Sequence, residues 1–141
     1  MVHALRRIHR SLRPEGVLLD LHPQPEHAAI EVWQGGHITR LGRVEQEEDI
    51  KEILEARARL SKIEGEGLYV TSRQRFFDLL SHFSSIDEWF EFQAREGYSG
   101  VVSDDLVASA SRLLAAGGGE FVVREPIRAS LLQRLPNSRK T

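Results

Sequence analysis

Between Leu5 and His22 the chain passes from an amphipathic stretch, through a proline–glycine turn, into an apolar run, and this passage limits the folds open to it. Leu5, Ile8 and Leu12 recur at spacings of three and four, with Ala4 on the same stripe, which predicts a helix over 2–12. Pro14 stops it, because proline disfavours helical geometry in the residue before it, and Gly16 completes the turn. Val17-Leu18-Leu19-Asp20-Leu21-His22 then reads as a short strand, apolar enough to be expected under cover on both faces, as in a parallel sheet.

Pro23 and Pro25 interrupt regular structure. Ala29–Val32 and Ile38–Leu41 predict a hairpin turning at Gly35-Gly36. A charged helix is expected over 45–63, with Ile50, Ile53, Leu54 and Ala58 on its apolar stripe. A strand follows over 73–83. Ser85-Ile86-Asp87-Glu88 forms a capping box opening a helix to Glu96, in which Ile86, Trp89 and Phe90 turn inward. Ser103 caps a further helix, with Leu106, Val107, Ala110, Leu113 and Leu114 on one face. Gly117-Gly118-Gly119 ends it, and 121–132 reads as a last strand, in which Pro126 implies a bulge or an edge position.

These elements predict an α+β domain: a mixed, mainly antiparallel sheet of four or five strands with helices packed on it. One domain over 1–135 is expected, with a frayed tail over 136–141. The 141 residues suffice for a core without staples. The chain has no cysteine, which excludes disulfides, thiolate nucleophiles and thiolate metal sites and makes a reducing cytoplasm the expected compartment. With 19 basic and 21 acidic residues, nothing suggests attraction to nucleic acid or to anionic membranes. No apolar run nears the ~20 residues that span a bilayer.

The run Ala4-Leu5-Arg6-Arg7-Ile8-His9-Arg10-Ser11-Leu12-Arg13-Pro14-Glu15-Gly16-Val17-Leu18-Leu19-Asp20 resembles the late motif of class I S-adenosylmethionine-dependent methyltransferases. In that family a helix ends in a Leu-Arg/Lys-Pro-Gly-Gly turn feeding the fifth strand of the sheet. Glu15 stands where the family usually has its first glycine. The resemblance further implies a sixth and a seventh strand, with strand seven between five and six; the strands at 73–83 and 120–132 would take those parts. The hairpin at 29–41 and the helix at 103–116 would be insertions.

The family holds its cofactor on a glycine-rich strand–turn–helix early in the domain. Gly35-Gly36 and Gly117-Gly118-Gly119 lack that context, so this chain is expected to be the trailing half of such a domain. The domain has degenerated, or its first part sits on another chain, or its true start lies upstream; a helix beginning almost at Met1 favours the first. No cofactor is expected, save S-adenosylmethionine if the other half is supplied.

Asp20 and His22 are two apart on a strand and share a face at its carboxyl end, where a carboxylate could orient an imidazole for general base work. They could equally be polar caps where the strand leaves the core. His22, His27 and His37, with Glu26 or Glu31, could approach zinc stoichiometry, but no His-x-His or His-x-x-x-His spacing occurs, which favours solvated histidines. Trp33, Tyr69, Trp89 and Tyr98 could line a pocket, and Arg124 and Arg128 could clamp an anion, though cross-strand pairing is the simpler role for the arginines. Glu45, Glu47, Glu48 and Asp49 suit a helix N-terminus, and Arg6, Arg7, Arg10 and Arg13 make an isolated basic stripe.

Three functions follow as expectations. The first is a noncatalytic interaction module that dimerises, or binds a protein partner, through the exposed edge of strand 17–21. The second is a methyltransferase whose cofactor half is supplied elsewhere. The third is a small ligand-binding or hydrolytic domain using Asp20 and His22.

Overall fold

The computed structural model describes residues 1–136. The expected tail therefore falls, but for Pro136, outside the described residues. Among the described residues four helices and five strands follow in the order α1 (Val2–Ser11), β1 (Val17–Pro23), β2 (Ala29–Gln34), β3 (His37–Arg43), α2 (Glu47–Gly65), β4 (Tyr69–Phe83), α3 (Ile86–Glu96), α4 (Asp104–Ala115) and β5 (Gly119–Arg134). The class is α+β, as expected, but the sheet is antiparallel rather than mixed. Strand order is β1-β5-β2-β3, with β4 also paired to β5. No parallel ladder arises because β5 lies between β1 and β4, strands that run the same way.

The contacts divide the chain into two compact units: 1–24, 51–77 and 127–136 in one; 25–50 and 78–126 in the other. In the first, β1 pairs with β5 from Val17↔Gln133 to Pro23↔Ile127. The core gathers Leu5, Leu60, Ile63, Tyr69 and Leu132, with Leu12 and Leu18 packed against it. Helix α1 buries Leu5 and His9, with Leu12 half-buried in extended conformation just past its end, and leaves Ile8 exposed, one step away from the expected stripe. His9 is accepted because its ring packs edge-on against Tyr69 at 5.3 Å and its Nε2 lies 3.0 Å from the Leu135 carbonyl. The buried residues of α2 are likewise Leu60 and Ile63, while Leu54 faces water. Tyr69 donates its hydroxyl to the Leu5 carbonyl at 2.9 Å, and this packing starts β4 four residues earlier than apolar alternation alone suggests.

Glu15 lies in the turn into β1. It adopts a φ of +63°, a left-handed conformation in which a side chain is strained and glycine is not. At Gly16 an added Cβ would sit 2.8 Å from the Arg13 carbonyl oxygen, so the turn has no room for one. Replacing Glu15 with glycine relieves the φ strain at the cost of a floppier unfolded chain, and the expected net gain is about 0.5 kcal/mol. A urea midpoint measures it; a loss of stability would show that the Glu15 side chain contributes contacts outweighing the strain.

In the second unit Gly35 and Gly36 both take positive φ, 56° and 79°, which is the two-residue turn whose twist suits a hairpin. Strand β2 runs against β5 from Ala29↔Arg124 to Gln34↔Gly119. Helices α3 and α4 cover one face over a core of Ile30, Val32, Trp89, Leu106, Ala110 and Phe121. The caps are those the sequence predicts: Ser85 accepts the Glu88 amide at 3.1 Å and Ser103 the Leu106 amide at 3.2 Å. Glu88 reaches back one residue further than a standard capping box, to the amide and hydroxyl of Ser84. Gln93, not Phe90, is the buried companion of Ile86 and Trp89 on α3.

Strand β5 is interior, so the edge position that Pro126 suggested is not its place. Pro126 lies between the last pair with β2, at Arg124, and the first with β1, at Ile127, where neither register asks for its missing N–H.

Candidate functional site

Strand β1 departs most from its expected environment. Its residues alternate, Leu18 toward the core and Val17, Leu19 and Leu21 into water at 52%, 59% and 57% exposure. The cover expected on both faces is present on one. Among the described residues β1 pairs with β5 alone, and the 29–41 hairpin lies against β5, leaving the other edge of β1 unpaired. An unpaired strand edge with an apolar stripe is a template for further pairing and packing.

Asp20 and His22 share the covered face of β1, as their spacing predicts. His22 Nδ1 lies 2.9 Å from Asp20 Oδ1, and an Arg128 nitrogen lies 4.0 Å from Asp20 Oδ2. The His22–Asp20 approach is close, yet its angle falls outside hydrogen-bond geometry: His22 Nδ1, Asp20 Oδ2 and Arg128 Nε are all buried atoms without a hydrogen bond among the described residues. Such atoms cost about 1–3 kcal/mol each when nothing answers them. For hydrolysis the pair would need a nucleophile. Ser130, the residue across the ladder from Asp20, has its oxygen engaged by Gln74 at 3.3 Å and is fully buried, so it cannot meet a substrate.

The remaining sequence candidates separate. His22 pairs with Asp20, His37 opens β3 opposite Gln34, and Glu26 is exposed. His27 does meet two carboxylates, Glu45 at 3.4 Å and Glu47 at 3.6 Å, with all three donor atoms within 4.8 Å of one another. Its chemistry argues against a metal. The Gln46 amide donates to Nδ1 at 3.1 Å, so Nδ1 is the unprotonated nitrogen and a neutral ring carries its proton on Nε2, the atom facing the carboxylates. That nitrogen has no lone pair to offer a cation. The triad instead fastens the start of α2, where Glu47, Glu48 and Asp49 occupy the first turn as dipole complementarity predicts.

Arg124 is a cross-strand partner: its guanidinium grips Glu31 at 2.9 and 3.2 Å and Asp78 at 2.8 Å. Arg128 belongs with Asp20. The aromatic candidates divide too, Tyr69 in the first core and Trp33 bonded to Glu31, while Trp89 and Tyr98 line one cavity. Arg6 chelates Glu66 at 2.7 and 2.9 Å, and Arg7, Arg10 and Arg13 are exposed.

No protein family, curated protein or solved structure matches this chain.

Proposed function

We propose that this chain is the trailing sheet half of a class I methyltransferase-like domain, noncatalytic by itself, and that β1 is the seam where a cofactor-binding half completes the sheet. The observation carrying this reading is the β1 stripe. Val17, Leu19 and Leu21 are exposed beside an unpaired strand edge, so the missing contacts are of two kinds: a strand for the edge and an apolar layer for the face. Covering each such half-exposed side chain contributes about 1–1.5 kcal/mol, roughly half the value for full burial, so the stripe favours association but needs the edge pairing and further contacts beside it.

Two further features support the family reading. Strand β5 lies between β1 and β4, the order the family has for its seventh strand between the fifth and sixth. Glu15, in the family's first glycine position, holds the backbone conformation for which glycine is suited. The described residues themselves do not fit S-adenosylmethionine: Gly35-Gly36 caps a hairpin, and Gly117-Gly118 leave a helix in left-handed conformations. The cofactor would therefore be held by the other half, with Asp20 and His22, at the carboxyl end of β1, offering polar contacts to whatever is bound there.

A twofold homodimer is the competing occupant. Pairing β1 with itself about Leu19 would set Val17 opposite Leu21 and meet the edge. It would leave the apolar face in water and double the stripe, because edge pairing extends a sheet without covering it. A partner bringing both strand and helices satisfies both needs.

The test is recovery of the chain from its own cells under native conditions, followed by equilibrium dialysis with labelled S-adenosylmethionine. The recovered assembly should bind the label, residues 1–141 purified alone should not, and Leu19→Lys should abolish binding by disrupting the seam. Binding by residues 1–141 alone, or a Leu19→Lys assembly that binds as well as the parent, overturns the proposal. So does a β1-dependent homodimer that binds no cofactor.

A further inference from the structure

The second unit holds a cavity of about 160 Å³ between α3 and the inward faces of β4 and β5. Its walls are largely hydrocarbon and aromatic: Leu79, Phe83, Trp89, Phe92 and Tyr98. The rings adjoin, Phe83 and Phe92 at 5.5 Å between centroids and Phe92 and Tyr98 at 5.9 Å. Gln46 and Gln93 also reach it: Gln46 Oε1 accepts from the Ala28 amide at 3.1 Å and its Nε2 donates to Asp49 at 3.4 Å, while Gln93 Nε2 donates to the Gly100 carbonyl at 3.5 Å. Among the described residues no lysine, arginine or histidine lines it.

Glu125 does. Phe121, Val123 and Glu125 have the same parity on β5, so this carboxyl sits on the strand face that otherwise carries apolar residues. Among the described residues it makes no side-chain hydrogen bond or ion pair. Burial, and then the nearby Asp49 carboxylate, push its pKa above the usual carboxylate range. A half-buried acid with no ion pair among the described residues, lining the same cavity as aromatic rings, supplies two groups that attract positive charge: a carboxylate and π-systems whose faces are negative.

We propose that this cavity binds a small organic ammonium ion, its apolar group against the aromatic walls and its N–H groups on Glu125. Size supports a ring-sized ligand, since an engineered apolar cavity of ~150 Å³ accepts benzene. The inference is independent of the methyltransferase reading, because it concerns residues 25–50 and 78–126 alone and needs no cofactor.

Calorimetric titration of residues 1–141 with benzylammonium, benzyl alcohol and benzoate tests it. Benzylammonium should bind one to one, at least tenfold more tightly than the alcohol, and benzoate should not bind. Glu125→Gln should lose tenfold or more of the ammonium affinity and bring it down to that of the alcohol. Fold loss is separated by a second measurement. A raised folded pKa means the native state prefers the neutral acid; that preference is fully present below the unfolded pKa and lost as pH rises through the folded pKa, at which point the charge burdens the fold. Asp49, at the start of α2, is the charged group opposing it. Glu125→Gln should therefore raise Tm at neutral pH, and the gain should vanish in acid. Equal affinity for ammonium and alcohol, unchanged ammonium binding in Glu125→Gln, or no saturable ammonium binding by the parent overturns the proposal.

Discussion

Replacing Arg124 with methionine is expected to destabilise the protein by about 3 kcal/mol, the low end of the range for breaking a buried ion pair. The Glu31 side chain is 6% exposed and accepts from Arg124 through both oxygens, while Trp33 Nε1 donates to Oε2 at 2.8 Å. Removing the guanidinium leaves a carboxylate in place with one neutral donor. The cost stays at the low end because Arg124 is 28% exposed, so water screens part of the interaction.

The double variant Glu31→Leu with Arg124→Met should recover most of the loss, since an apolar pair needs no counter-charge. The pH dependence has a fixed sign. The Arg124 hydrogen bond is the largest influence on Glu31 and lowers its pKa, with burial opposing. A depressed folded pKa contributes stability above the unfolded value and loses it as pH falls through the folded value. The gap between parent and Arg124→Met should therefore be widest at neutral pH and close in acid. Urea midpoints at the two extremes measure it; a constant gap would mean that Arg124 acts through its hydrocarbon stem rather than its charge.

How far the fold can be read from sequence depends on the range over which each decision is made. The Gly35-Gly36 turn and the Ser85 and Ser103 caps were legible because each is settled within four residues. The Arg124–Glu31 pair joins positions 93 apart in the chain, and no spacing announces it. The run Val17–His22 declares a strand but says nothing about whether its second face has a cover, which is a property of the neighbours. Tyr69 extends β4 because a core exists to receive its ring.

Two residues that matter were signalled and could have been found. His9 follows Leu5 by four and precedes Leu12 by three, so it lies on a helical stripe that Ile8 leaves. Glu125 interrupts the parity of Phe121 and Val123, and an acid at an inward strand position marks either strain or a site. The Asp20–His22 pairing was legible from period two alone, whereas its unmet hydrogen bonds depend on Arg128, which the sequence places more than a hundred residues away.

Truncating Phe121 to alanine should cost about 3–5 kcal/mol, the range for deleting a buried ring whose surroundings cannot collapse. Phe121 is fully buried on the interior strand β5, opposite Val32 of β2, with the Trp89 ring at 5.5 Å and Phe83 at 6.5 Å. Its neighbours are fixed from several sides, since β5 is held by the β2 ladder and α3 by its caps, so a cavity would persist rather than close. Trp89 and Phe83 also wall the ammonium cavity, and loosening them should weaken benzylammonium binding in the same variant. Phe121→Leu separates the two contributions. It retains most of the buried hydrocarbon and should cost about 1.5 kcal/mol or less if area dominates. A leucine variant as unstable as the alanine one in urea would instead place the stabilisation in the ring-to-ring geometry with Trp89 and Phe83, the arrangement on which the cavity depends.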